Sequence, residues 1–450
     1  MSTKGNLTRR TFLKMSGMTV AGVALAACAA PAVGPAGGAD EAAAEKTSIR
    51  VTHWWGDAFN VPIETFMESH PDIEVVNEPA PWQGYADKLP TSIAAGTAAD
   101  VFFLDAGYFM VLLPQNISID LTSYLEADSE VDPAKWAIDP GLDTGINGVP
   151  LGLPQWHPDS ANVVVNKDIL SAEGIEAPEF GTDNFMKWTW ADFLEAAVAT
   201  TKTNDDGTKA QWGVGGVGRG VWSPHRDMVW TNGGEFFDDP TAQNPTVALF
   251  TDPAFVEAWQ WLVDLEMTHD VATRPDDEAA FGTQGAYLSG KVAMTWMWNL
   301  YGVMTQAPFE WGVICPPFQA RRANKYGGNS WCVSSATENP DAGYTFISWA
   351  TTRLEGQKAF TQVGTVPVYD PQRILPEAEN DQQSKLWNLI IARQAAAVED
   401  DAARPFSLGA HGNEITDILN AENDLIYNGN QSVEQGLANA KDKVDPLLAA

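Results

Sequence analysis

The sequence predicts an α/β protein of two lobes, each a mainly parallel sheet flanked by helices. Three observations predict it. Short β-prone runs alternate with helical patterns from residue 49 onward, the signature of strands joined by helical crossovers. One run, Val101-Phe102-Phe103-Leu104, is apolar without interruption, as a strand buried on both faces must be. Finally, about 420 residues remain after an N-terminal signal, too many for one hydrophobic core.

The elements follow in order. Ile49-Arg50-Val51-Thr52-His53 is β-prone, and Ile63, Phe66 and Met67 at helical spacing mark a helix ending before Pro71. Ile73-Glu74-Val75-Val76 reads as a second strand, and Tyr85, Leu89 and Ile93 as a second helix closed by Gly96, before the apolar run at 101–104. Gly148–Leu151 and Ala161–Val165 are strand-like. Thr189-Trp190-Ala191-Asp192 has the form of a capping box opening a helix through Ala199. Thr251-Asp252-Pro253 sets a capping group and a first-turn proline ahead of a helix to Met267. Lys291–Trp296 and Trp311–Cys315 read as strands; Asn339-Pro340 opens a helix through Trp349; Ser432-Val433-Glu434-Gln435 begins a last one, with Leu437, Ala440 and Val444 on one side. There is no internal repeat.

The N-terminus reads as an export signal. Thr8-Arg9-Arg10-Thr11-Phe12-Leu13-Lys14 carries the paired arginines of a twin-arginine signal, and an apolar run from Met15 to Ala27 leads to Leu25-Ala26-Ala27-Cys28, which resembles a lipobox. At 13 residues that run is short for a membrane span. Residues 1–27 are therefore expected to be a twin-arginine lipoprotein signal peptide, with Cys28 lipidated. Residues 28–48 read as a flexible tether, of which Ala29 to Lys46, rich in Ala, Gly and Pro, reaches about 60 Å at full extension. The expected location is the outer face of the cytoplasmic membrane, with the membrane as a partner through the lipid.

Loss of Lys4, Arg9, Arg10 and Lys14, with no acidic residue, takes the formal net charge from −32 to −36. Such a chain is repelled by nucleic acid and by anionic lipid headgroups. The six histidines show no paired ligand spacing, so no metal is expected. Besides Cys28, Cys315 and Cys332 stand in apolar strand-like stretches. An oxidising compartment permits a disulfide; folding in the reducing cytoplasm before export favours two buried thiols.

Chemistry-bearing residues sit where strands stop. Ligands of open α/β sheets bind beyond the carboxyl ends of strands. The first strand runs into Trp54-Trp55-Gly56-Asp57, the third into Asp105-Ala106-Gly107, Leu153-Pro154 into Gln155-Trp156-His157, and the strand after Lys291 into Trp296-Met297-Trp298-Asn299. The chain holds 18 tryptophans, and Trp54 and Trp55, being adjacent, face opposite sides of a strand, so one points away from the core. An indole can stack on the C–H face of a sugar while amides and carboxylates take its hydroxyls. The helical Trp259, Trp261, Trp349 and Trp387 read as core. Gly213-Val214-Gly215-Gly216-Val217-Gly218 lacks the lysine of a phosphate loop and reads as a loop or strand edge.

In their order, these blocks resemble the extracellular solute-binding proteins of ATP-binding-cassette (ABC) importers, in the sugar-uptake group (family 1, maltose-binding-protein-like). The resemblance covers nearly all of 49–448. It rests on Phe66…Pro71-Asp72-Ile73-Glu74-Val75; on Tyr85…Lys88-Leu89…Ile93-Ala94-Ala95-Gly96…Asp100-Val101; on Gly148–Pro154 and Val165-Asn166-Lys167-Asp168, with Leu151 and Val165 in place of tyrosines; on Trp188–Phe193; on Ser289–Met294; and on Gly327-Gly328…Val333 and Val366-Pro367. It implies a periplasmic-binding-protein fold with a ligand cleft between lobes. Lobe one would hold 49–157 and 335–375, lobe two 161–328 and 380–450, with crossings near 156–160, 328–334 and 374–380. Implied ligand contacts are Trp54, Trp55, Asp57, Gln83, Asp105, Trp156, Trp230, Trp298, Asn299, Asn329 and Trp331, with Phe406 and His411 as further candidates. The implied partners are a mono- or oligosaccharide and the importer's permease, served by a separate ATPase; no cofactor is implied and a monomer is expected.

Two alternatives remain. A secreted carbohydrate-active hydrolase needs two carboxylates about a scissile bond, for which Asp57 and Asp105 are the candidates. The same fold can also carry a non-sugar solute. Arg219, Arg226 and Arg404 are the few basic residues near strand ends that an anion would use.

Overall fold

A computed structural model describes residues 46–81, 84–137, 139–156, 162–179, 183–184, 186–217, 224–239, 245–281, 285–297, 306–325, 328–363, 365–371, 373–374, 403–404, 408 and 411–449. The signal, Cys28 and nearly all of the tether lie outside them.

The chain first builds three parallel strands. β1 (Thr47–His53) is followed by helix α1 (Asn60–Ser69), β2 (Ile73–Pro79), helix α2 (Tyr85–Ala94) and β3 (Val101–Asp105). β1 lies between β2 and β3 and is parallel to both. β4 (Leu153–Trp156) ends this first passage. A second sheet takes β5 (Asn162–Asn166), β6 (Lys202–Thr203), β7 (Lys209–Gly215), β8 (Val292–Met297) and β9 (Trp311–Ile314). Its helices are α3 (Trp190–Thr200), α4 (His225–Thr231) and α5 (Pro253–Met267). The chain then returns to the first sheet as β10 (Asn329–Val333), helices α6 (Pro340–Thr352) and α7 (Leu354–Gln362), and β11 (Val366–Pro367). Helices α8 (Gly412–Tyr427) and α9 (Val433–Leu448) close the chain.

The sheet orders are β11-β4-β10-β3-β1-β2 and β9-β5-β8-β7-β6. Each sheet has its own core. Ile49, Phe66, Phe103, Trp331, Phe346 and Phe360 pack in the first. Phe193, Trp230, Phe255, Trp259, Ile415 and Leu437 pack in the second, so α8 and α9 belong with it. The two-lobed α/β architecture is as the sequence predicts. A third cluster joins Val368 and Ile374, just after β11, to Val164, Trp212 and Trp311 of the second sheet. Trp136 packs against this cluster, its ring 5.1 Å from that of Tyr369.

The sheets are more mixed than expected. β10 runs antiparallel to both β3 and β4, β11 to β4, and β5 to both β8 and β9. The reason is topological. The chain passes between lobes at the edge where the parallel strands end. A strand that begins at that edge, as β5 and β10 do, must run away from it and so opposes its neighbours. β10 occupies a stretch the sequence assigned to a crossing; it is an interior strand of the first sheet.

Local signals explain the helices. Thr189 accepts from the Asp192 N–H while the Asp192 carboxylate takes the Thr189 N–H, a complete capping box. Pro253 is the first residue of α5, where its missing N–H has no helical partner to lose. Ser432 accepts from the Gln435 N–H to open α9.

Candidate functional site

The register of the first sheet gathers chain ends on one edge. β1, β3 and β4 finish there and β10 starts there: Asn329 pairs with Asp105 across β10 and β3, and Ser330 with Pro154 across β10 and β4. β11 also starts there, with Val366 opposite Trp156. Trp54, Trp55, Asp105, Gln155, Asn329 and Thr365 therefore share one rim.

Trp54 and Trp55 leave β1 in different directions, and both are half-buried. The Trp54 ring lies 5.2 Å from Tyr85 and 5.1 Å from Phe103; the Trp55 ring stacks on Phe59 at 5.1 Å and 21°. Each indole rests on the lobe-one core and keeps part of its surface accessible. Asp57 is exposed on the short 3-10 turn Gly56–Phe59. Asp105 caps its own turn, its Oδ1 accepting from the Gly107 N–H at 2.8 Å. Burial first, then the charges of Asp105 and Asp87, push the nearby Tyr108 phenol up.

The rim also holds buried polar groups. Gln155 donates from Nε2 to the Ala350 carbonyl at 3.1 Å and accepts from the Trp331 indole N–H. Asn329 is 1% exposed, and its Oδ1 has no hydrogen-bond partner; the Thr365 hydroxyl oxygen, equally buried, has none either. A buried polar group left unpaired is destabilising by about 1–3 kcal/mol: the Asn329 oxygen asks for an occupant that donates, and the Thr365 hydroxyl, which can donate or accept, for one that hydrogen-bonds in either sense. Gln155 and Thr365 were not singled out as contacts in the sequence. The position of Gln155 at a strand's carboxyl end was the available signal; Thr365, ahead of Val366-Pro367, gave none.

Two expected contacts are corrected. Trp331 is 0% exposed, with Phe103 at 4.5 Å, Phe346 at 5.6 Å, Phe360 at 5.7 Å and Phe59 at 5.8 Å around its ring. It faces the helices, not the rim, because it sits inside an interior strand. Trp230 is 2% exposed within α4, all of whose seven residues are buried, and the Arg226 guanidinium lies 5.3 Å from its ring. The Trp331 ring is enclosed by aromatic neighbours, and the Trp230 ring is buried in the core of the second lobe. Gln83, Trp298, Asn299 and Phe406 lie outside the described residues, as does the side chain of Trp156. His411 opens α8, bonded through Nδ1 to Glu414 at 3.1 Å.

In the second lobe, β7, β8 and β9 end on the edge where β5 starts, with Met297 paired to Asn162. Trp298 follows directly on β8. The glycine run is structural. A Cβ on Gly213 would stand 2.1 Å from the Ala197 carbonyl oxygen, so glycine lets α3 lie on β7. Gly216, at φ +63°, turns the chain off the strand, and its N–H donates to Glu278 and Thr273. Among the described residues no group of three His, Cys, Asp or Glu is placed to hold a metal ion. Neither Cys315 nor Cys332 forms a disulfide; both are buried, and burial pushes the Cys332 thiol up. No described helix is long and apolar enough to cross a membrane.

Two α/β lobes, the first presenting half-buried indoles and unpaired amide and hydroxyl groups at its strand ends, have the form of a small-molecule binding protein. Residues 54–353 match the family of bacterial extracellular solute-binding proteins, and the chain belongs to that family. A putative binding protein of Brucella abortus is 23% identical over 403 residues, covering 87% of this chain and 90% of its own. Among solved structures, an ABC substrate-binding protein of Listeria monocytogenes in complex with cycloalternan superposes with a TM-score of 0.74 at 24% identity, covering 90% of this chain and 99% of that one. The GacH receptor of Streptomyces glaucescens, solved unliganded and with acarbose, gives a TM-score of 0.69 at 20% identity over 90% of this chain and 99% of its own.

Proposed function

We propose that this chain is an extracytoplasmic receptor that captures a mono- or oligosaccharide between its lobes and delivers it to the permease of an ABC importer. The observation that carries this is the lobe-one rim. Two half-exposed indoles stand beside an amide oxygen and a hydroxyl that are buried and unpaired. Apolar ring faces with neutral polar groups suit an uncharged, hydroxyl-rich molecule, whose C–H face stacks while its hydroxyls donate and accept. An anion would set its charge against the unpaired Asn329 oxygen. The cycloalternan and acarbose held by the two structural relatives are in keeping with this.

Sugar bridging the lobes stabilises the closed state, and the closed form docks on the permease. The chain works as a monomer, catalyses nothing itself, and is exported by the twin-arginine route and held at the membrane by lipid on Cys28. Asp57, Asp105 and Asn329 of the first lobe, with Gln83, Trp156, Trp298 and Asn299, complete the proposed contacts.

The test is a thermal-shift and calorimetric panel of maltose, D-tagatose, acarbose and cycloalternan, with citrate and phosphate as anionic controls. A ligand bound only by the folded chain raises apparent stability. Stoichiometric binding of a sugar without product, weakened tenfold or more in Trp55→Ala and Asn329→Ala, is expected. Turnover of the sugar would make the chain a hydrolase; response to the anions alone would make it a carrier of another solute.

A further inference from the structure

We propose that His53 is a positioning residue: its imidazole fixes the backbone of Trp55 at the rim through a hydrogen-bond chain of fixed polarity. His53 ends β1 and is 0% exposed, its ring 4.4 Å from that of Phe59 and 6.4 Å from that of Trp331. The Trp55 backbone N–H points at His53 Nδ1 at 3.1 Å. On the other side of the ring, Nε2 lies 2.7 Å from Asn77 Oδ1, and Asn77 Nδ2 donates to Asn60 Oδ1 at 2.7 Å.

The protons follow by elimination. A backbone N–H can only donate, so Nδ1 must present its lone pair to Trp55. A neutral imidazole with a bare Nδ1 carries its hydrogen on Nε2, which then donates to Asn77 Oδ1. That leaves the Asn77 amide nitrogen free to donate to Asn60, the first residue of α1. Every bond in the chain runs one way, from Trp55 through His53 and Asn77 to Asn60. Protonation would put a hydrogen on Nδ1 and face it against the Trp55 N–H. Burial holds the ring at about 4, against 6.5 for a free histidine, which keeps it neutral where the protein works. The Trp55 indole is held separately by its stack on Phe59. Its main chain and its ring are thus fixed by different neighbours, and His53 touches both arrangements.

The consequence for binding rests on the reading that Trp55 meets the sugar; the positioning itself does not. Two substitutions separate the ring's two bonds. Asparagine places its Oδ1 two bonds beyond Cβ, where Nδ1 stands, and an acceptor reaching the N–H two residues on is the ordinary Asx turn. His53→Asn therefore keeps the Trp55 bond and loses Asn77. His53→Gln reaches Asn77 and leaves the Trp55 N–H without its acceptor. Both lose the imidazole's packing on Phe59 and Trp331, so both lower the melting temperature.

The experiment measures amide hydrogen exchange at Trp55 in the full chain and its two variants, with acarbose affinity alongside. Trp55 exchange is expected to stay slow in His53→Asn and to rise about tenfold or more in His53→Gln. Acarbose affinity is expected to fall about tenfold further in the Gln variant than in the Asn variant. Equal Trp55 exchange in the two variants overturns the proposal. If exchange separates them but neither they nor Trp55→Ala alter acarbose binding, the positioning stands and the placing of Trp55 in the sugar site fails.

Discussion

Replacing Trp331 by Phe tests the separation of core from site most directly. The substitution keeps an aromatic ring among Phe59, Phe103, Phe346 and Phe360. It removes the indole N–H that Gln155 Oε1 accepts. Gln155 is 1% exposed, and its amide nitrogen stays engaged with Ala350, so the freed oxygen cannot turn to water. An acceptor stranded in this way is destabilising by about 1–3 kcal/mol. The smaller ring leaves a gap a few atoms wide, adding about 1 kcal/mol. A loss of about 2–4 kcal/mol is therefore expected, read as a lowered urea midpoint by far-ultraviolet circular dichroism. Gln155→Leu removes the Trp331 partner but also the donor to the Ala350 carbonyl, so a double-mutant cycle of Trp331→Phe with Gln155→Leu should show a combined loss about 1 kcal/mol or more below the sum of the single losses, because the two residues form one interaction. Acarbose affinity should change far less than in Trp55→Ala. A Trp331→Phe chain with an unchanged urea midpoint and lost sugar binding would refute the reasoning and return this indole to the site.

Three further outcomes follow from single contacts. The folded chain holds His53 neutral, burial outweighing the opposing bond to Asn77, so the unfolded chain takes its proton first. Its contribution is whole above pH 6.5 and is lost as pH falls from 6.5 toward 4, about 3 kcal/mol in all; urea midpoints across that window should fall less steeply in His53→Asn, and an unaltered slope counts against it. For Asp128, burial is outweighed by hydrogen bonds from Arg353 and Ser348 and by the Arg353 charge, which together hold the carboxyl low. That stability is present above the ordinary aspartate pKa and is lost as pH falls below it, so Asp128→Asn should be destabilising by about 2 kcal/mol at pH 7 and progressively less in acid. Gly213→Ala drives a methyl to 2.1 Å from the Ala197 carbonyl oxygen and should be destabilising by about 1–3 kcal/mol by thermal melting; a neutral effect would mean that α3 moves freely off β7.

What was legible in the sequence was local. The capping box at Thr189, the first-turn proline at Pro253 and the serine at Ser432 each open the helix expected of them, because each signal acts within four residues. The apolar run at 101–104 is a fully buried strand because its composition leaves it no other place. Registration across distance was not legible. Gly148–Leu151 reads as a strand, yet only Val149–Pro150 pairs there, in a small hairpin with Gly145–Ile146, and the sheet takes Leu153–Trp156 instead. No local pattern separates the two, since both are short stretches of apolar residues interrupted by proline.

The same limit governs the site. Trp54, Trp55, Trp230 and Trp331 look alike in sequence: large rings beside strand or helix ends. Their fates differ because exposure depends on how far past the last ladder bond a residue falls. Trp54 and Trp55 lie one and two residues beyond β1 and reach the rim. Trp331 lies two residues inside β10, a strand that begins at the rim and runs away from it, so each step along it moves deeper. A strand that ended at the rim would have carried the same residue outward. Strand direction therefore decides which indoles can meet a ligand, and direction here is set by where the chain crosses between lobes. That is why Asn329, the first residue of β10, keeps a rim position while Trp331, two residues on, belongs to the core.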